Sequence, residues 1–169
     1  MSAMAAYVTT RGAVYVHSAP RAMCPHITWA LETVLGPSVR LDWSIQPCDT
    51  ATVRAEASWI AEAGTGARLA SALRSCDGIR YEVVEEGSPG SDGSRWSFTP
   101  SLGIHHAWIC ASGDAVINEN RLRAALNLAD PHAMRQALED ALGAAWDSEL
   151  EPYRQAGEGA TVRWLHRVS

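Results

Sequence analysis

The clearest pattern in the chain is an alternation of apolar and polar positions. Val39, Leu41, Trp43 and Ile45 interleave with Arg40, Asp42, Ser44 and Gln46; after a turn over residues 47–51, Val53, Ala55, Ala57 and Trp59 interleave with Arg54, Glu56 and Ser58. Period-two alternation sends successive side chains to opposite faces of a strand, so this stretch predicts a hairpin with one buried and one polar face. Upstream, residues 12–17 (GAVYVH) are a β-branched and aromatic run, read as a first strand. Cys24-Pro25 opens a helix in which Ile27, Ala30, Leu31, Val34 and Leu35 recur at helical spacing, and Gly36-Pro37 ends it. A second helix is predicted over 67–76, with Leu69, Ala72 and Leu73 inward. Ile79, Tyr81 and Val83 then alternate with Arg80 and Glu82 as a fourth strand. The order βαββαβ predicts an α+β fold with a ferredoxin-like unit over residues 12–86, both helices on one face of the sheet. The other face should carry Arg40, Asp42, Arg54, Glu56, Arg80 and Glu82. Such a face is either a solvated, salt-bridged surface or one covered by the second half of the chain or a partner.

Residues 86–94 (EGSPGSDGS) are linker-like in composition. Beyond them, 95–99 and 104–111 read as strands. Asn118 caps a helix containing Leu122, Ala125 and Leu126, and Asp130-Pro131 starts another with Met134, Ala137, Leu138, Ala141 and Leu142 on one face and Gly143 at its end. Trp146, Leu150 and Tyr153 add one or two more helical turns, and 161–168 (TVRWLHRV) reads as a closing strand. The second part, 95–168, is thus expected to pack a hairpin, at least two helices and a last strand on the first unit.

Composition narrows the function classes. All 14 basic residues are Arg, which removes Schiff-base lysines, a pyridoxal-phosphate anchor and a Walker A loop. The net charge of −5 argues against nucleic-acid binding, which draws on surplus basic charge. Strand 53–59 also offers Arg54, Glu56 and Ser58 where an RNA-recognition sheet needs stacking aromatics. Cys24, Cys48, Cys76 and Cys110 are widely spaced, a pattern of reduced thiols in a cytoplasm. Residues 1–10 show no signal-peptide pattern and no apolar run reaches the roughly 20 residues of a membrane span, so a soluble cytoplasmic protein without a membrane role is expected.

Three places could carry chemistry. His17, Cys24 and His26 lie around the loop after the first strand, where a helix N-terminus favours thiolate. Met23-Cys24-Pro25-His26 resembles the Met-x-Cys-x-x-Cys loop of the small heavy-metal-associated domains but lacks the second cysteine, and three ligands fall short of a closed zinc site. No metal and no cofactor are therefore expected. The same trio could be a nucleophile and base, or simply a capped helix with a partly buried thiol. Gly64-Thr65-Gly66, with Arg68 behind, is a Gly-rich turn into a helix that could hold a small anion; it could equally be a tight turn. His105 and His106, adjacent on a strand, point to opposite faces and so do not ligate one metal. Among the seven Trp, Trp29, Trp43 and Trp59 fall on apolar faces and read as core, whereas one or two of Trp96, Trp108, Trp146 and Trp164 could be exposed anchors for a partner.

The stretches GAVYVHSAP, CPHITWAL, VRLDW, GTGARLASALRS, RYEVVEEGS, RLRAAL and WDSELEPYRQAGEGATVRWLH, in that order, resemble an actinobacterial family of uncharacterised proteins, and the all-Arg, Ala-rich composition suits a GC-rich genome. The resemblance transfers no activity and no catalytic residues. It implies genes placed near those of fatty-acid synthesis, hence an accessory role around acyl carriers or acyl-CoA. The expected function is a non-enzymatic binding or regulatory protein whose partner is a protein or a small anion. A homodimer is left open by analogy of fold. The alternative is a small cysteine-dependent enzyme using Cys24 with His17 or His26 on an acyl or phosphate-bearing substrate.

Overall fold

The computed structural model describes residues 8–156. A mixed α+β architecture forms around one antiparallel sheet. Its strands are β1 (Thr9–Pro20), β2 (Ser44–Ile45), β3 (Thr52–Glu62), β4 (Arg80–Glu85), β5 (Gly93–Thr99), β6 (Gly103–Ile109) and β7 (Ala115–Val116), in the order β2-β3-β1-β4-β5-β6-β7. Five helices flank it among the described residues: α1 (Cys24–Leu35), α2 (Thr65–Leu73), α3 (Glu119–Leu126), α4 (Pro131–Leu142) and α5 (Ala144–Gln155). Because β4 pairs with β5, the sheet runs without a break from the first half of the chain into the second.

The register divides the sheet into two faces. On one, Val14, Val16, Trp59, Tyr81 and Val83 form the main core with Ile27, Ala30 and Leu31 of α1 and Leu69, Ala70 and Leu73 of α2. On the other, Tyr15, Val84 and Ile109 make a smaller cluster, and α5 crosses it with Leu150 fully buried. The charged face read from the sequence is therefore split. Arg80 and Glu82 lie under α5, while Glu56 is exposed and Arg54 half-exposed.

Local signals placed the helices well. Pro25 sits in the first turn of α1, and Gly36 ends that helix with φ 90°. The Asp130 carboxylate accepts from the N–H groups of His132 and Ala133 at the start of α4, and Gly143 closes it at φ 73°.

Three expectations are corrected. The strand over 39–46 shrinks to Ser44–Ile45, with Val39, Leu41 and Trp43 still half-buried against the core but outside any ladder. Ile45 is 54% exposed whereas Gln46 is fully buried. The reason is a bulge in β1: between Val16 and Ala19 two residues, His17 and Ser18, oppose Arg54 alone. Gln46 lies on the face that α5 covers and donates its side-chain amide to the His17 carbonyl at 2.6 Å, so here the polar position of the alternation is the buried one. Trp29 is not core; it is 67% exposed, because Ile27, Ala30 and Leu31 define the buried stripe of α1 and Trp29 lies off it. The apolar face read on α4 is not wholly covered, since Leu142 is 51% exposed, and Leu126 of α3 is 66% exposed. The closing strand over 161–168 and Trp164 lie outside the described residues.

Candidate functional site

The largest concentration of buried polar chemistry lies between β1, β4, β5 and α5. Alternation along β1 puts His17 on the face of Tyr15, beneath α5, where its Nε2 stands 2.7 Å from Glu82 Oε2 and its ring stacks on Tyr15. Glu82 comes from the middle of β4 and is wholly buried. Ser97, directly opposite on β5, donates its hydroxyl to Glu82 Oε1 at 2.9 Å. From α5, Arg154 donates from Nε to Oε2 at 2.9 Å and from Nη2 to Oε1 at 2.5 Å, a two-pronged pair. Both terminal nitrogens of Arg154 also reach Asp147 Oδ1 at 3.0 Å, two turns back along the helix. Burial pushes the Glu82 carboxyl up, but its bonds to His17 and Arg154 outweigh this and hold it well below the usual carboxylate range. Burial likewise lowers Arg154, and the Glu82 carboxylate more than reverses it, so the guanidinium stays charged. A neighbouring cluster repeats the theme: Arg80 pairs with Glu149 at 3.3 Å and lies over the Tyr153 ring, while Thr99 donates to Glu149 at 3.0 Å. Sealed and saturated, the Glu82 cluster clamps α5 to the sheet.

The sequence-derived trio is not assembled. His17 is committed to Glu82 on one side of the sheet. Cys24 opens α1, which packs on the opposite face. Burial pushes its thiol up, toward the neutral form. His26 is exposed on the first turn of α1. Among the described residues no group of three or more His, Cys, Asp and Glu is arranged to hold a metal ion, and no helix is long and apolar enough to cross a membrane.

The Gly-rich turn does present free donors, and the chain itself supplies the anion. Glu85, at the end of β4, accepts from Gly64 N at 2.8 Å and from Gly66 N at 2.6 Å. Gly66 is required there, since a Cβ would meet the Trp96 ring at 2.7 Å and the Glu85 carboxylate at 2.9 Å. Thr65 is buried and Arg68 is exposed one turn on. Glu85→Ala should therefore cost about 1 kcal/mol, the usual worth of an N-cap. Its melting temperature should rise with millimolar phosphate more than that of wild type, because phosphate then reaches the vacated donors. A variant that melts like wild type would refute this role for Glu85.

On the face of α1 and α2 an aromatic strip runs from Trp96, packed beside α2, out past the helices' cover to His106 and Trp108. Trp96, His106 and Trp108 are neighbours: Trp96 and His106 have ring centroids 5.1 Å apart, and Trp108 meets His106 edge-on at 4.8 Å. Trp108 is 48% exposed and Val116, opposite it on β7, 44%. The Ser94 hydroxyl, 3.1 Å from His106 Nε2, fixes that ring, and partial desolvation holds the imidazole below its ordinary pKa. His105 points to the other face and lies against Trp146 with ring centroids 4.9 Å apart and planes tilted by 31°; the Trp146 indole N–H donates to the Gly103 carbonyl at 2.9 Å. Nearby, the turn after β6 carries the exposed Cys110, whose thiol is lowered by a 3.0 Å contact with the Ser112 hydroxyl. It opens on a cavity of about 620 Å³ shared with Glu86, Ser91 and Asp92.

An α+β protein built on one antiparallel sheet, with a sealed ionic clamp and an open aromatic strip, is the class that these features define. The family model described as "Protein of unknown function (DUF3145)" matches residues 13–167, and the chain belongs to that family. No curated protein and no solved structure matches the chain.

The residues that organise this arrangement were half-visible in the sequence. Glu82 was read only as one of the charged positions on the second sheet face, although its place between Tyr81 and Val83-Val84 is a signal that could have marked it. Its partner Arg154, 72 positions away, carried no local signal.

Proposed function

We propose that this protein is a non-enzymatic binding protein that docks a protein partner on the open end of its sheet. The aromatic strip of Trp96, His106 and Trp108 carries this reading. Its rings contact one another, with Trp96 anchored against the core and His106 and Trp108 exposed, and Trp is among the side chains most enriched where binding energy concentrates. A protein partner is preferred to a small anion because Glu85 already fills the donors of the Gly-rich turn. The reading takes residues 12–86 as a ferredoxin-like unit, supported by the order β2-β3-β1-β4 and by α1 and α2 sharing one core. An actinobacterial source, a cytoplasmic location and an accessory role in acyl metabolism belong to the same proposal; the first is supported by the all-Arg composition, the second by the widely spaced free thiols, and the third by the family resemblance alone.

The test is photo-crosslinking in extracts of the source cells, comparing wild type with Trp108→Ala and His106→Ala. Both side chains are exposed enough for the variants to fold. A protein crosslinked to wild type should fall by about tenfold or more with Trp108→Ala, the loss of a single hot spot. An identical set of crosslinked proteins in wild type and both variants would overturn the proposal.

A further inference from the structure

The sheet ends on its other side in a strand edge left half-used. β2 covers β3 only at Ser44 opposite Arg54 and Ile45 opposite Val53, whereas β3 runs on to Glu62. From Ala55 onward its outer edge has no partner strand among the described residues. Residues 38–40 pass by without pairing and leave a groove of about 490 Å³ against Glu56–Ile60. Ile60, in the middle of this edge, is 76% exposed, more than any other large apolar side chain among the described residues. Exposed edges carrying apolar side chains pair with other strands unless blunted.

We propose that the occupant is a second copy of this chain, joined β3 to β3 across a two-fold axis through Ile60. A two-fold normal to the sheet makes two copies of one edge antiparallel, the arrangement this sheet already uses throughout. Directly opposed residues must share a face, so the axis passes through a residue and the choices are few. An axis at Ser58 or earlier drives the incoming strand onto β2, since Glu62 of the mate would lie opposite Arg54, where Ser44 already pairs. An axis at Trp59 sets Glu56 against Glu62 twice, a like-charge penalty on each side. An axis at Ala61 leaves three rungs and opposes Ile60 to a carboxylate. With the axis at Ile60 the ladder has five rungs, clear of β2. Ile60 meets its own copy, and each Ser58 hydroxyl can donate to a Glu62 carboxylate. Neither Glu56 nor Glu62 makes an ion pair among the described residues, so no internal contact is broken. On the helix side, Trp59 stands opposite Ala61 of the mate.

Light scattering on the full chain should give twice the 18.2 kDa of one copy. Ile60→Lys, which places two ammonium groups on the axis, should return the mass to that of one copy, and Ile60→Val should not. Under mild oxidation Ile60→Cys should yield a disulfide that mass spectrometry assigns to residue 60 joined to itself. Ser58→Cys should not, because its counterpart lies four residues along the strand. A single-copy mass for wild type at about 100 µM, tighter than weak encounter pairs, would overturn the proposal. So would a dimer that survives Ile60→Lys, or equal crosslinking by Ser58→Cys.

Discussion

Glu82→Ala should be the most damaging single substitution in the chain. It leaves the Arg154 guanidinium buried beneath α5 with only the part-exposed carboxylates of Asp147 and Glu151, and strips His17 and Ser97 of their acceptor. Breaking one side of a buried ion pair costs about 3–5 kcal/mol, because the surviving charge has lost its solvation and its buried partner. Against the 5–15 kcal/mol that hold a typical domain together, that is a large fraction. Urea denaturation should show the loss, together with faster hydrogen exchange along α5, since the clamp is what seats that helix. The pair Glu82→Leu with Arg154→Leu should recover most of the stability, because no charge is then left buried. If the double variant is as unstable as Glu82→Ala, the clamp is not the reason.

The same cluster sets an acid limit. The folded-state pKa of Glu82 is lowered relative to the unfolded chain, with burial opposing the shift and the His17 and Arg154 contacts prevailing. A depressed carboxylate stabilises the fold fully above its unfolded pKa, about 4.3, and progressively less as pH falls below it toward the folded value. Between pH 7 and pH 3 wild type should therefore lose more stability than the Glu82→Leu, Arg154→Leu double variant.

What the sequence revealed of this arrangement follows the range of the interactions involved. Caps act over three or four residues, so Asp130, Gly143, Pro25 and Gly36 marked α4 and α1 within a residue or two. The alternation from Val53 to Trp59 is set by one buried face and survived intact. The alternation from Val39 to Gln46 did not, because a bulge 29 residues earlier leaves a carbonyl that Gln46 answers. At the candidate sites the donors of Gly64 and Gly66 were legible as a helix start after glycine. Glu85, which fills them from the end of another strand, was not. Likewise α5 was read as a turn or two of helix, since its Arg154 pairs with a residue 72 positions earlier and carries no local signal. The free edge of β3 is the converse case: a short β2 is invisible as long as the alternating pattern continues past the point where pairing stops.

Gly12→Ala should be the second large loss, and it tests the sheet's centre rather than its cover. Gly12 sits in β1 between Trp59 on β3 and Glu85 on β4. A Cβ there would lie 2.0 Å from the Val84 carbonyl oxygen and 2.3 and 2.6 Å from two atoms of the Trp59 ring. A side chain could swing away, but the carbonyl belongs to the ladder of a central strand and has no room to move without breaking pairing on both of its sides. Overpacking costs typically about 1–3 kcal/mol, and contact with backbone puts this site at about 3 kcal/mol or above. The ring explains why glycine is tolerated in a central strand at all: the Trp59 indole lies across the gap and supplies the apolar cover that Gly12 lacks. Two comparisons separate crowding from a general intolerance of side chains at glycine. Gly90→Ala, where nothing lies within 4 Å but φ is 83°, should cost only the left-handed penalty of about 1–2 kcal/mol. Gly12→Ala combined with Trp59→Leu should remain unstable, since the Val84 carbonyl stays in place. Recovery of the double variant to wild-type stability would show that the ring alone, and not the ladder, forbids a side chain at position 12.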